Sequence, residues 1–464
     1  MGRLFGHFPE IRKLAKLTKK NIGMGLYLKR PSWYQAADSK TVEVTFIGKP
    51  KILCADPNIY KEVLGAKQDA FTNSVSFKLV FGCFFPTSVI VVDGDQWQRI
   101  RKVMQRAMTK QSLDLVVSIM FESSDLLLQH PNQNQIPTKV MITRIAFDSF
   151  HRVMYGWDPK STIESPDSVN LVNACDTIVE AIGKRSARPM PLLWKLPTKN
   201  NKAAEKACAF IKRFIADFIT SRKSEIKGSG SSSSTPSLLD AMILAAESGE
   251  DGGMTQEELS DQIATLFFAA FGTTAETLRL VLNYLARYPA EQDSLRAHVR
   301  DRFPDRAKLA AAPLAEVEAI APLCHFIDEV NRLHGIAPFV ARTALRDVEV
   351  AGRAVRSGTE FLIDSAAVGR DPALWEGQAD LDSFRPSRWA EFRPSVVSAP
   401  MPFGIGARIC PGRRIALAEM RALVAALVHS HRVALRRPDE AFELDMLLGL
   451  SLAGSSGDID FAPL

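Results

Sequence analysis

Thr255-x-x-Glu258 is a capping box, and the segment it opens meets no proline until Tyr288-Pro289. The spacing predicts a single helix of unusual length, and its middle, Ile263 to Phe271, is apolar on every side. A helix of that kind has to run through an interior, because no face of it suits water. The rest of the chain must therefore wrap it. With 464 residues of which 46% are hydrophobic and 24% charged, the material for such a wrapping is present and disorder is excluded. The apolar run falls short of the roughly eighteen residues a membrane span needs, so a soluble, cytoplasmic protein is expected.

Candidate strands are few and short: Val42 to Ile47, Ile52 to Ala55, Val348 to Ala351 and Glu360 to Asp364 carry β-branched or alternating patterns near glycines. Helical periodicity fills most of the remainder. The clearest interruption is the Gly/Ser tract 228–235, read as a flexible surface loop after a basic helix ending near Lys227. The basic lead-in, 1–35, with Arg3, Arg12, Lys13, Lys16, Lys19 and Lys20 against Glu10, is either a solvated helix or a segment making peripheral contact with anionic lipid.

A net charge of +6 spread along the chain, without basic blocks interleaved with aromatics, argues against nucleic acid as a partner. The cysteines Cys54, Cys83, Cys175, Cys208, Cys324 and Cys410 lie far apart with no CxxC pair, which argues against both a zinc site and a disulfide-stapled secreted fold.

One cysteine has a distinctive setting. Phe403-Gly404-Ile405-Gly406-Ala407-Arg408-Ile409-Cys410-Pro411-Gly412 is a glycine-rich loop running into a helical pattern from Arg413. Glycines let backbone approach a flat ligand closely, and Pro411 suits the first turn of a helix. The sulfur then sits at a helix amino end, where the helix field and free N–H groups favour an anion and lower the thiol pKa. A thiolate held this way is an axial ligand that pushes electron density into haem iron and favours O–O cleavage. Phe403 would cover the sulfur, and Arg408 could meet a haem propionate. The bland alternative is a buried structural cysteine in a turn.

This segment resembles the signature of the cytochrome P450 superfamily, Phe-x-x-Gly-x-Arg-x-Cys-x-Gly, with every fixed position filled by Phe403, Gly406, Arg408, Cys410 and Gly412. Other segments follow in the family's order. Glu329-x-x-Arg332 on a helix and Arg388 within Phe384-Arg385-Pro386-Ser387-Arg388-Trp389 look like the family's Glu-Arg-Arg cluster, a structural lock. Asp93-Gly94-Asp95-Gln96-Trp97-Gln98-Arg99-Ile100-Arg101 is similar to its Gly-x-x-Trp-x-x-x-Arg helix, with Trp97 and Arg101 one turn apart and able to point at one propionate. Arg342 matches a further propionate contact. The resemblance implies haem b, electrons from NAD(P)H through a separate reductase, a flavoprotein or ferredoxin, and a basic docking face at Lys102, Arg106, Arg413 and Arg414.

The long helix resembles the family's distal helix, with Ala-Gly-x-(Asp or Glu)-Thr-Thr read here as Ala269-Ala270-Phe271-Gly272-Thr273-Thr274. Ala270 replaces the glycine and Gly272 the acid. Splitting dioxygen requires protons delivered through a positioned hydroxyl. Thr273 and Thr274 offer hydroxyls, and the missing acid is made good by water, by Glu276 or by the substrate. Alternatively, Gly272 makes room for a bulky substrate. Phe81, Phe84, Phe85, Phe268, Phe271, Ala269, Ile336 and Phe339 fall where the family places substrate contacts, although core packing explains each phenylalanine as well.

Gly6-His7-Phe8-Pro9-Glu10-Ile11 looks like the segment that follows a hinge and membrane anchor in microsomal members, and neither precedes it here. The expectation is a naturally soluble member, or a chain cut at its start whose native site is the endoplasmic reticulum membrane. Length alone suggests two or three domains. The chemistry, however, spreads from Trp97 to Cys410 across the Gly/Ser tract, so one mainly α domain with small β-sheets, 1–464, is expected, as a monomer. The expected activity is oxidation of a hydrophobic small molecule, a terpenoid, steroid or other secondary metabolite, by a haem-thiolate monooxygenase. Peroxygenase, rearrangement or coupling chemistry, and haem-based sensing, are the alternatives.

Overall fold

The capping box forms as the sequence requires: Thr255 Oγ1 accepts from Glu258 N at 3.1 Å, and Glu258 Oε2 accepts from Thr255 N at 2.8 Å. From it the helix Gln256–Arg287 runs 32 residues to Tyr288, where Pro289 begins the next helix. The structure, a computed structural model, describes residues 10–11, 13–14, 22–46, 49–106, 109–129, 136–162, 165–187, 191–228, 237–248, 253–375, 378–391, 402–447, 451–454 and 457–464. Most of the basic lead-in and, apart from Gly228, the Gly/Ser tract lie outside the described residues.

Nine helices position the site: α1 (Val75–Gly82), α2 (Gly94–Arg106), α3 (Lys110–Gln129), α4 (Thr138–Tyr155), α5 (Pro166–Ala187), α6 (Lys199–Gly228), α7 (Gln256–Arg287), α8 (Ala321–Leu333) and α9 (Arg413–Ser430). Helix α7 packs most extensively on α4, and also on α5, α6, α8 and α9. By length and composition the whole helix, Gln256–Arg287, could cross a membrane, but most of its apolar window is buried inside the fold.

The cap of α7 is also a clamp on α2. Burial opposes ionisation of Glu258, but Arg99 at 2.6 Å, the Thr255 N–H and Gln96 at 2.8 Å hold its carboxyl down at about 2. Helix α2 is thereby fixed across the start of α7.

The main sheet has the order β1-β2-β5-β4-β3, with β1 (Thr41–Phe46), β2 (Lys49–Cys54), β3 (Phe71–Asn73), β4 (Phe339–Ala344) and β5 (Glu360–Asp364). Strand β2 runs parallel to β5, pairing Leu53 with Leu362; the other pairs are antiparallel, and Asn73 lies opposite Arg342. Alternation along β5 sends Phe361 and Ile363 into one apolar cluster with Tyr60 and Trp375, and Leu362 into another with Trp33 and Phe339. A third and larger cluster of buried apolar side chains, drawn mainly from the helices, is continuous. Three two-stranded pairs complete the strands: Val348–Val350 with Arg353–Val355, His431–Leu435 with Ile459–Pro463, and Leu444–Leu447 with Ser451–Gly454. The fold is mainly helical with small sheets, as the sequence indicated.

Candidate functional site

Cys410 ends a loop whose shape depends on two glycines. Gly404 and Gly406 both have φ +74°, a region that costs any residue with a Cβ. Gly406 has a second reason: a Cβ there would overlap the Leu64 carbonyl oxygen. Ala407 N donates to Gln68 Oε1 at 2.7 Å and Cys410 N to Phe403 O at 2.9 Å, which closes the loop. Gly412 caps α9, so Pro411 lies just outside the helix and not in its first turn.

Cys410 is half-buried. Burial of its surroundings pushes the Cys410 thiol up, and the Gly412 and Arg413 N–H groups with the Arg101 guanidinium only partly offset this. The expected lowering therefore does not arise from the chain alone.

Three arginines gather near this loop. Arg101, 7% exposed, donates to Ile409 O at 2.7 Å, and its Nε has no partner. Arg408 donates to Asp93 at 2.7 Å and to Val92 O at 3.1 Å, with its guanidinium 4.6 Å from the Trp97 ring centre. Arg342, on β4, donates only to Ala341 O; burial and the Arg408 charge hold it down at about 10, with Asp93 opposing. Trp97 thus backs Arg408, and Arg101 braces the loop carbonyl. Asp93 also takes Thr72 and Lys78, so acid is scarce. An unpartnered Arg101 Nε and an Arg342 without an acid of its own fit a group that brings carboxylates.

Helix α7 is not buried all round. Ala269 and Thr273, one turn apart, are exposed, with Ala270 and Gly272 half-exposed beside them. A side chain on Gly272 would meet nothing within 4 Å. Thr273 Oγ1 donates back to Ala269 O at 2.8 Å, leaving its lone pairs on this open stripe. Thr274, by contrast, is buried towards α9 and α4. Glu276 is turned aside as well, held by Arg279 at 2.6 Å, with its pKa raised by burial.

The phenylalanines divide into two groups. The segment after α1 is pinned to α7 by Thr87 N on Asp261 at 2.8 Å, Val89 N on Gln262 at 2.7 Å and Thr265 on Ser88 at 2.7 Å. This brings Phe85 within 5.2 Å of Phe268, with Phe81 and Phe84 against Phe85. Phe271 instead packs edge-on to Phe147 in the core of α4, and Phe339 packs on Tyr27 in the sheet cluster. Neither joins the Phe81–Phe268 group. Ile336, half-buried, lies between α8 and β4.

Glu329, Arg332 and Arg388 come together with side chains 0% exposed. Arg332 forks onto Glu329 at 2.7 and 2.8 Å, and Arg388 Nε reaches the same carboxylate at 3.2 Å. Trp389 Nε1 and Arg385 N fill its remaining sites at 2.9 and 3.0 Å. The guanidiniums then hold carbonyls of Gly369, Leu381 and Ser383, and of Ala379 and Asp380. The cluster staples α8 to the chain leading towards the cysteine loop. Of the basic surface residues, Lys102, Arg413 and Arg414 are exposed, and the Arg106 side chain is outside the described part.

Two polar residues escaped the reading of the sequence. Glu419, on α9, is 2% exposed with Oε1 unpartnered; burial pushes its carboxyl up to about 8, eased by the hydroxyls of Ser149 and Thr274. A lone acid inside the apolar run Ile415 to Met420 was the available signal. Arg185, at the end of α5, is 8% exposed, and nothing in its local sequence marks it.

Comparison with known proteins places this geometry in context. The family model described as Cytochrome P450 matches residues 16–455. Cytochrome P450 3A30 of Fundulus heteroclitus is 26% identical over 415 residues, covering 86% of this chain and 81% of the relative. Cytochrome P450 714C2 of Oryza sativa is 25% identical over 449 residues, covering 92% and 83%. Cytochrome P450 monooxygenase sphH of Aspergillus fumigatus is 24% identical over 421 residues.

Proposed function

Because the chain belongs to the cytochrome P450 family, and so is an oxygenating oxidoreductase that uses haem and electrons from a redox partner, we propose that Cys410 would hold the haem iron through its thiolate and that Thr273 serves proton delivery. The observation that carries this is the setting of the sulfur, faced by two backbone N–H groups and the Arg101 cation. Haem b supplies dioxygen binding and reductive O–O cleavage when bound. Arg101, Arg342 and Arg408, the last backed by Trp97, would hold its carboxylates, with Phe403 shielding the sulfur and Gly412 keeping the loop tight. Glu329, Arg332 and Arg388 keep the segment beneath in register. Residues 1–464 act as one haem-enclosing domain.

Thr273 Oγ can take a proton from water on its open side and pass one into the stripe beside Ala269. Glu276, already engaged by Arg279, serves the helix instead. The Phe81, Phe84, Phe85 and Phe268 group excludes water and receives an apolar substrate, of which terpenoids, steroids and other secondary metabolites are the classes to test. Electrons come from NAD(P)H through a reductase docking at Lys102, Arg413 and Arg414. The protein works as a monomer, with the basic lead-in available to anionic lipid.

Replacing Cys410 by serine tests the assignment. The reduced carbon monoxide complex should lose its red-shifted thiolate absorption, and a variant that keeps it removes the basis of the proposal. The open space at Gly272 favours one second reading, a peroxygenase or rearrangement enzyme that needs no acid there. Product formed under labelled dioxygen separates them, since unlabelled product with turnover intact selects the second.

A further inference from the structure

Among the described residues the arginines buried to a tenth exposure or less are Arg30, Arg101, Arg185, Arg332 and Arg388. Arg30 has Asp364 at 2.7 Å, Arg332 and Arg388 share Glu329, and Arg101 lies beside Cys410. Arg185 has no acid. Its Nη1 donates to Cys83 Sγ at 2.8 Å, its Nε has no partner, and its guanidinium carbon lies 4.4 Å from the Phe84 ring centre and 5.5 Å from that of Trp194. Asp261, whose charge reaches this region, is already taken by Thr87 N and Oγ1 at 2.8 Å and makes no bond to Arg185.

A guanidinium removed from water without an anion carries a desolvation cost that ring faces and a thiol offset only in part. Here the cation also has a defined position. It sits where α5, the end of α1 and the segment before α6 meet, and ring contacts lead inward from it. Phe84 is 6.2 Å from Phe85, Phe85 is 5.2 Å from Phe268, and Phe268 is followed by Ala269 at the open stripe of α7. A cation at one end of an aromatic path that stops at the proposed reaction site matches a ligand with an anion at one end and an apolar body.

We propose that Arg185 anchors a carboxylate on the substrate, so that the enzyme acts on apolar carboxylic acids lying along Phe84, Phe85 and Phe268. The acid is a monoanion, because one guanidinium offsets one charge in these apolar surroundings and a phosphate monoester would bury a second, uncompensated charge. Anchoring presents a carbon remote from the carboxylate beside Thr273. This inference rests on the haem-monooxygenase reading above for the location of the site, but its test does not use turnover.

Palmitic and abietic acids and their methyl esters are titrated by calorimetry into the purified holoenzyme and into Arg185→Leu and Arg185→Lys. In the unmodified enzyme at least one acid should bind about tenfold or more tighter than its ester, since an anion filling a buried, unpaired cation gains a charge-assisted bond that the ester lacks. Arg185→Leu should reduce that preference to under about threefold with ester affinity little changed, and Arg185→Lys should keep part of it, having the charge without the fork. No preference for either acid in the unmodified enzyme, or a preference that survives Arg185→Leu, overturns the inference. Loss of the thiolate signature in the carbon monoxide complex would instead strike the reading it rests on, and is recorded separately.

Discussion

Substituting Glu419 by glutamine removes an ionisable proton from the interior while keeping the shape of the side chain and its capacity to accept from Thr274. In the unfolded chain a glutamate carboxyl ionises near 4.3; in the fold this one keeps its proton up to about 8. Between those values only the unfolded state gains by ionising, so the stability present at low pH is lost as pH rises, at about 1.4 kcal/mol per unit. From pH 5 to pH 7.5 the loss specific to Glu419 comes to about 3 kcal/mol. Glutamine has no such loss. For 464 residues, an unfolding entropy of about 2.1 cal/mol/K per residue gives about 1 kcal/mol/K, so the variant's melting midpoint should gain about 3 °C on that of the unmodified holoenzyme across this range. Thermal melts of both proteins by circular dichroism, run in parallel at each pH, read the difference directly. The other titrating groups and the contribution of bound haem are common to both and cancel. A difference that stays constant from pH 5 to 7.5, or that shrinks, refutes the reasoning.

Three further substitutions probe the frame. Gly272→Ala should stabilise the protein by up to about 1 kcal/mol, because α7 gains helix propensity and the new methyl meets nothing, as denaturant unfolding would show. Gly406→Ala should cost at least about 2 kcal/mol by the same measurement, since positive φ and overlap with the Leu64 carbonyl act together. Arg388→Leu should cost about 3 to 5 kcal/mol, because it leaves part of the Glu329 charge and the carbonyls of Ala379 and Asp380 without a partner in a dry site; an unfolding midpoint equal to that of the unmodified protein would deny the cluster its stapling part.

What could be read from the sequence was whatever depends on neighbours along the chain. The cap at Thr255 and Glu258, the course of α7 to Pro289 and the turn at Gly404 and Gly406 are local matters of backbone and spacing. Four strand positions showed by alternation, whereas β3 and β4 did not, because their pairing joins residues 71–73 to residues 342–344 and is a property of the assembled sheet. The open stripe on α7 was hidden for the same reason. Ala269, Ala270 and Gly272 are as apolar as their buried neighbours, and only the arrangement of surrounding helices leaves their side uncovered. Phe271 and Phe339 show the converse, since composition could not tell a ring aimed at α4 or at Tyr27 from one beside Phe85.

The buried charges fall into two kinds, and the difference says more about function than their number. Arg30 on Asp364, and Arg332 and Arg388 sharing Glu329, find their carboxylates within the chain, and the carboxylates' remaining sites accept from backbone N–H groups, Trp389 Nε1 and Tyr34 OH. Such groups hold strands and helices in place with a carboxylate supplied by the chain. Arg101, Arg342 and Arg185 are incomplete, since folding takes them from water and supplies carbonyls, rings or a thiol in place of a bonded carboxylate. An incomplete cation raises the free energy of the ligand-free fold, and whatever brings the missing anion recovers that amount on binding. The two sets also lie at different places, Arg101 and Arg342 by the cysteine loop and Arg185 beyond the phenylalanine group. A carboxylate-bearing cofactor and a carboxylate-bearing substrate should therefore stabilise the protein independently, with additive shifts in melting midpoint, whereas a neutral apolar ligand should add only what its buried surface provides.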